Sequence, residues 1–316
     1  MTINFGRAVL LVALVTCCSA ASAQVQMDEF GDWRRTIGEA REGFQTKIVK
    51  SGPAPEAPAT PPGRIFDLIK YDAPVGKLAA YVTKPQKPGR YPAMIWITGG
   101  DNNSIGDVWS PEPEAFRQSV PAFREAGMVV MFPSQRGGND NPGQRESFYG
   151  EVDDILAAAD HLAKLPHVDP NRMYLGGHST GATLALLVAE STDRFKATFA
   201  VGPVAMATHY GGQSLYCASD PQEWQRRAPM NFTSGLTTPV FIIAGQNDSV
   251  WQSLQLLDMP VMMTGKSDLV TQISVPGHNH FSVLHPASTV LAREVAATRG
   301  DFKLSPAGLQ QLTGRR

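Results

Sequence analysis

The chain has 316 residues, and its 28 Lys and Arg against 29 Asp and Glu leave a formal net charge of −1. A balance so near neutral, with no basic cluster, excludes a nucleic-acid binder that works by neutralising phosphates. Hydrophobic residues make up 42% of the chain, enough to bury the core of one large α/β domain.

Residues 1–23 read as a secretory signal peptide. Arg7 supplies the positive start, residues 8–15 an apolar run too short to span a bilayer, and Ala21-Ser22-Ala23 a small-residue cleavage site before Gln24. A lipid anchor at Cys17 or Cys18 is disfavoured by Thr16, which stands where Gly or Ala is normal. No other apolar stretch approaches the length of a membrane span. The expected product is soluble and exported, in the periplasm. Without the leader, Cys217 is the only cysteine, so no internal disulfide can form.

Residues 24–63 form an N-terminal arm, with a short charged helix expected over 28–44 and a proline-rich linker over 51–63. Residues 64–316 are expected to be the catalytic domain. Residues 65–73 and 77–83 alternate like antiparallel strands around Pro74-Val75-Gly76. From residue 93 on, buried-strand runs alternate with helical stretches. One such helix, over 151–165, gathers Val152, Ile155, Leu156, Ala159 and Leu162 on one face. This rhythm predicts an α/β fold with a mostly parallel central sheet and helices on both faces.

The chemistry is carried by Gly177-His178-Ser179-Thr180-Gly181. It sits between an apolar strand run at 172–176 and a helix-forming run at 182–189. Strand, sharp turn and helix are what a nucleophile elbow needs to lift a serine hydroxyl above a sheet. A serine hydroxyl is a poor nucleophile at neutral pH, so it needs a base, and the base an orienting acid. Asp248 follows the strand run 239–244 at its carboxyl end, where parallel sheets do their chemistry. Asp258, on the helix beyond, is the reserve acid. A strand over 272–275 ends in Pro276-Gly277 and delivers His278 and His280 to a loop. His280, followed by Phe281 just before the last expected helix, is the expected base, with His278 as runner-up. Thr180 N–H and the N–H of Gly100 or Asp101, after the run 92–98, are the expected oxyanion donors. His178, beside the nucleophile, and His161 and His167 elsewhere have structural roles in this reading. No metal or cofactor is implied, because no Cys- or Glu-rich partner segment accompanies the histidines.

Between the runs ending at 201 and starting at 240 lies a long insert with His209-Tyr210-Gly211-Gly212, Tyr216-Cys217 and Trp224. Loops of that length tend to be functional lids. With Trp109, Tyr149 and Trp251 it could wall an aromatic pocket.

Taken together these segments resemble the α/β-hydrolase fold, and within it the prolyl oligopeptidase and dienelactone hydrolase-like group. The resemblance rests on Gly99-Gly100, on residues 132–138 (Phe132 to Gly138), on Gly150-Glu151-Val152-Asp153-Asp154 with residues 168–172, and on the elbow with its acid and histidine segments. Thr98 stands where the group commonly has a histidine. Ser179 stands where dienelactone hydrolases have cysteine, which speaks against that reaction. The region before residue 65 is too short for the β-propeller of the group's oligopeptidases. The resemblance implies a serine hydrolase acting by acyl transfer on a small ester or, as the alternative, a short peptide. A non-catalytic member that uses the fold for binding is the rival from another class.

Overall fold

The computed structural model describes residues 34–314 except 53, 55 and 102. The expected leader, with Arg7, Cys17 and Cys18, lies outside the described residues.

Apolar runs bounded by turn residues become the strands β1 (Phe66–Ala73), β2 (Gly76–Thr83), β3 (Tyr91–Ile97), β4 (Val129–Pro133), β5 (Val168–His178), β6 (Thr198–Val201), β7 (Val240–Gly245) and β8 (Val270–Val275). They form one sheet in the order β1-β2-β4-β3-β5-β6-β7-β8. The first two strands are an antiparallel hairpin, and β2 runs antiparallel to β4. Every pairing from β4 across to β8 is parallel. Parallel neighbours need crossovers, which helices supply.

The helices are α1 (Ile37–Arg41), α2 (Pro121–Glu125), α3 (Glu151–Ala163), α4 (Thr180–Ala189), α5 (Pro221–Gln225), α6 (Trp251–Leu254), α7 (Asp258–Met263), α8 (Leu284–Ala297) and α9 (Pro306–Thr313). Alternation along β3 splits the core. Ala93, Ile95 and Ile97 pack with Ile155 and Ala159 of α3 and with Leu184 and Leu187 of α4. Met94 and Trp96 face the other way, with Phe123 of α2, Leu291 and Val295 of α8 and Leu312 of α9. Successive strand side chains point to opposite faces, so one strand serves both layers. Helix α4 is buried from Gly181 through Ala189, as its apolar composition on every side requires.

Of the helix expected over 28–44, residues 28–33 lie outside the described residues, and within 34–44 the helix is α1. Thr36 and Glu39 form a reciprocal capping box that starts it at Ile37, and Gly43 turns the chain at φ 68°. The described residues of the proline-rich linker have no regular structure, and the Tyr81 hydroxyl donates to the Ala59 carbonyl at 2.7 Å, holding it against the sheet. Among the described residues no helix is long and apolar enough to cross a membrane.

Candidate active site

Ser179 sits between the end of β5 and the start of α4 with φ 55° and ψ −120°. A non-glycine residue at positive φ stores on the order of 1–3 kcal/mol of backbone strain. The surroundings hold it there. Ser179 N–H donates to the Val201 carbonyl at 2.8 Å. A Cβ on Gly177 would stand 2.5 Å from the Gly181 backbone, and one on Gly181 would stand 2.2 Å from the Ile97 carbonyl oxygen. Both glycines of the elbow are therefore required by close backbone approach.

Asp248 follows β7 in a turn closed by its own N–H on the Gly245 carbonyl. Its Oδ1 accepts the Val250 N–H at 3.2 Å, and its Oδ2 lies 2.7 Å from His280 Nδ1. The carboxylate thus caps the following turn and also meets the imidazole. It is 6% exposed, so water scarcely competes for it. Since a carboxylate accepts, His280 Nδ1 carries the hydrogen in this contact. Gly202, at φ 65°, lies directly against the pair. A Cβ there would come within 2.9 Å of His280 Cε1 and 3.3 Å of Asp248 Oδ2.

The alternatives are engaged elsewhere. His278 Nδ1 lies 3.0 Å from the Ser282 carbonyl oxygen, and its own carbonyl accepts the Asn247 N–H. Asp258 Oδ1 accepts from Gln272 Nε2 at 2.8 Å on the surface.

In the double-glycine loop, Gly100 N–H donates to Thr180 Oγ1 at 3.1 Å, and the Thr180 hydroxyl donates back to the Gly100 carbonyl at 2.8 Å. Gly99 N–H is held by Gln118 Oε1 at 2.5 Å. Arg145 donates both to the Asp101 carbonyl and, at 2.9 Å, to Asp101 Oδ1. Gln118 and Arg145 therefore tie down this loop from distant segments, which no spacing in the sequence signalled.

Ser179 and His280 line one open cavity of about 750 Å³, together with Val204, His209, Tyr210, Val250 and Leu256. The Tyr210 hydroxyl lies 2.9 Å from Thr183 Oγ1. Burial raises the Tyr210 phenol pKa, and the Thr183 and Ser179 hydroxyls draw it partly back. His209 Nδ1 lies 2.6 Å from Ser253 Oγ. The insert thus contributes to the cavity, but the wider aromatic wall differs from the one expected. Trp109 packs against Tyr81 at 5.0 Å between ring centroids, and Tyr149 lies under the Arg41 guanidinium at 4.4 Å. Neither lines the cavity. Trp251 uses its indole N–H on the Gly245 carbonyl at 2.7 Å.

The insert is held from the amino-terminal arm. Arg227 and Glu223 form a 2.7 Å ion pair with side chains 0% and 3% exposed. Thr46 Oγ1 and Lys47 N–H both donate to Glu223. Ile48 pairs with Cys217 as an antiparallel bridge, burying that thiol. A second cavity of about 780 Å³ opens near the amino ends of β6 and β7, around Lys196, Pro239, Phe241 and Phe302, and holds none of the expected site residues. Among the described residues no group of three or more His, Cys, Asp or Glu is placed to hold a metal ion.

The profile of the prolyl oligopeptidase family matches residues 114–297. Dipeptidyl-peptidase 5 of Porphyromonas gingivalis is 24% identical over 248 residues, 68% of this chain and 34% of that enzyme. The chain spans about a third of the length of the first curated relatives it matches. Among solved structures, an acylaminoacyl peptidase in complex with Z-Gly-Gly-Phe-chloromethyl ketone superposes with a TM-score of 0.64 at 13% identity, over 79% of this chain and 44% of that one. A Pyrobaculum calidifontis esterase superposes with a TM-score of 0.56 at 19% identity, over 73% of this chain and 85% of that one. At such identities the superpositions show the fold, that of the α/β hydrolases. With its profile matched from residue 114, ahead of β4, to the end of α8, more than half of its length, the chain belongs to the prolyl oligopeptidase family.

Proposed function

We propose that this chain is an exported hydrolase that cleaves ester bonds by acyl transfer, with Ser179 as nucleophile, His280 as base and Asp248 as the orienting acid. The observation that carries the reading is the 2.7 Å contact between Asp248 Oδ2 and His280 Nδ1, at the cavity that Ser179 also lines. With Nδ1–H held by the carboxylate, the bare Nε2 takes the Ser179 proton as Oγ bonds to the substrate carbonyl carbon. The same proton passes to the leaving group when its bond to that carbon breaks. Water then repeats the sequence on the acyl-enzyme and frees Ser179. Thr180 N–H is one oxyanion donor. Gly100 N–H, with Asp101 N–H beside it, supplies the other by exchanging its Thr180 contact for the substrate oxygen. Residues 1–23 act as the leader, 24–63 as an arm and 64–316 as the catalytic domain.

Peptide or acylamino-acid cleavage is the second reading. What favours it is the set of relatives, which carry the names dipeptidyl-peptidase and acylamino-acid-releasing enzyme. Parallel assay of a nitrophenyl ester and of dipeptidyl and acylamino-acid anilides separates the two by leaving group. The founding test is intact mass after treatment with a fluorophosphonate. One adduct on the wild type and none on Ser179→Ala is expected. No adduct on folded wild type would turn the assignment toward a binding protein.

A further inference from the structure

His178 closes β5 immediately before Ser179, and its side chain is fully buried. The reaction as proposed does not use it. Its Nε2 lies 2.8 Å from the backbone carbonyl oxygen of His280, 102 residues away. A carbonyl only accepts, so Nε2 carries the hydrogen and Nδ1 is bare. Nδ1 is buried with no hydrogen-bond partner. On that side Gly99 closes in, where a Cβ would stand 3.1 Å from Nδ1 and 2.7 Å from the His178 carbonyl. The hydrogen bond to His280 is thus the contact that sets the tautomer of this imidazole.

The ring is also wedged against the loop it grips. Its centroid is 4.7 Å from that of His280 and 5.4 Å from that of Phe281. Burial first, and then the neighbouring His280, lowers the His178 pKa to about 4. At neutral pH the ring is therefore an uncharged donor and adds no positive charge beside His280. The His280 side chain is 25% exposed on the loop after β8, so its direction depends on how its backbone is anchored. His278 and Ser282 brace that loop internally. The bond from His178 ties the His280 peptide itself to the end of the strand that leads into Ser179.

We infer that His178 is a positioning residue for acyl transfer: its Nε2–H grips the His280 carbonyl and holds that imidazole between Asp248 and Ser179. The inference rests on the triad reading above. Displacement by about 1 Å of a group that acts in the transition state costs up to roughly a hundredfold in rate, and that is the scale at stake.

The test compares His178→Met, His178→Gln and His178→Asn in the full chain, with His280→Ala as control. The readouts are the rate of phosphonylation by a fluorophosphonate and kcat and KM on nitrophenyl acetate. Gln reaches the Nε2 position with an amide N–H, Asn stops short of it, and Met fills the volume without a donor. The expected result is a roughly 10- to 100-fold loss of kcat and of labelling rate in Met and Asn, with KM nearly unchanged and substantial recovery in Gln. If Met fails to fold, the contrast between Asn and Gln decides the matter. Equal losses in Asn and Gln, or losses confined to KM, would overturn the inference. Retained turnover in His280→Ala would instead overturn the triad reading, so the two failures are told apart.

Discussion

The carboxyl edge of the sheet and the insert between β6 and β7 are built by opposite rules. At the edge, Ser179, Asp248 and His280 each stand within five residues of a strand end, and short backbone bonds fix each turn. Ser179 N–H on Val201, Asp248 N–H on Gly245 and Asn247 N–H on His278 are examples. The insert, over 202–239, is instead held by residues more than 150 positions away. Thr46 and Lys47 reach Glu223, the Arg226 guanidinium covers the Phe44 ring at 3.7 Å, and Val49 N–H meets the Tyr216 carbonyl. Arm and insert form one unit that walls the cavity through His209 and Tyr210. The candidate site residues sit at strand ends within the sheet, whereas the cavity wall is clamped from the distant arm, so damage to the two regions should look different.

Ser179→Ala gives the largest expected effect, a fall in ester turnover of roughly five to six orders of magnitude, with little change in the denaturation midpoint. A rate within tenfold of wild type would break the assignment. Asp248→Asn keeps the shape but offers the imidazole the wrong partner, and kcat should fall by about four orders of magnitude. A much smaller loss would shift the acid role elsewhere.

Arg227→Met tests the other side of the comparison. It leaves Glu223 buried without its cation, at an expected cost of about 3–5 kcal/mol in urea unfolding. Because the damage falls on the cavity wall, KM should rise more than kcat drops. Unchanged stability would mean that the arm and insert are not braced by this pair.

The smallest effect concerns α4, the helix behind Ser179. Burial alone pushes the Glu190 carboxyl well above its ordinary value of 4.5, and its Oε2 has no partner. As pH rises past that value the unfolded chain releases this proton while the folded chain keeps it. The folded state then binds more protons, so stability declines with rising pH until the folded group itself titrates. Glu190→Gln should therefore raise the melting temperature over wild type by more at about pH 8 than at about pH 4. Equal gains at both would show that Glu190 ionises as an exposed glutamate does.

The sequence by itself determined the order of the strands and the helices over 151–165 and 182–189, because apolar runs cut by Gly, Pro, Asn and Asp admit few alternatives once their periods are read, but not the short helices α2, α5 and α9. It also pointed to the elbow, a Gly-x-Ser-x-Gly run between a strand and a helix, although Gly181 and Ser179 are held there by Ile97 and Val201 from other strands. Tertiary structure decided what depends on which strand lies beside which. Pairing β7 with β8 sets Asp248 against His280 and leaves Asp258 to Gln272 and His278 to Ser282. It turned Trp109 and Tyr149 away from the cavity and brought Tyr210 to it. It also gave Gly100 N–H a partner in the Thr180 hydroxyl, and His178 its hold on the His280 carbonyl. Each of these joins groups about 30 to more than 100 positions apart or turns on a choice of side-chain rotamer. Periodicity and turn chemistry report only on neighbours along the chain.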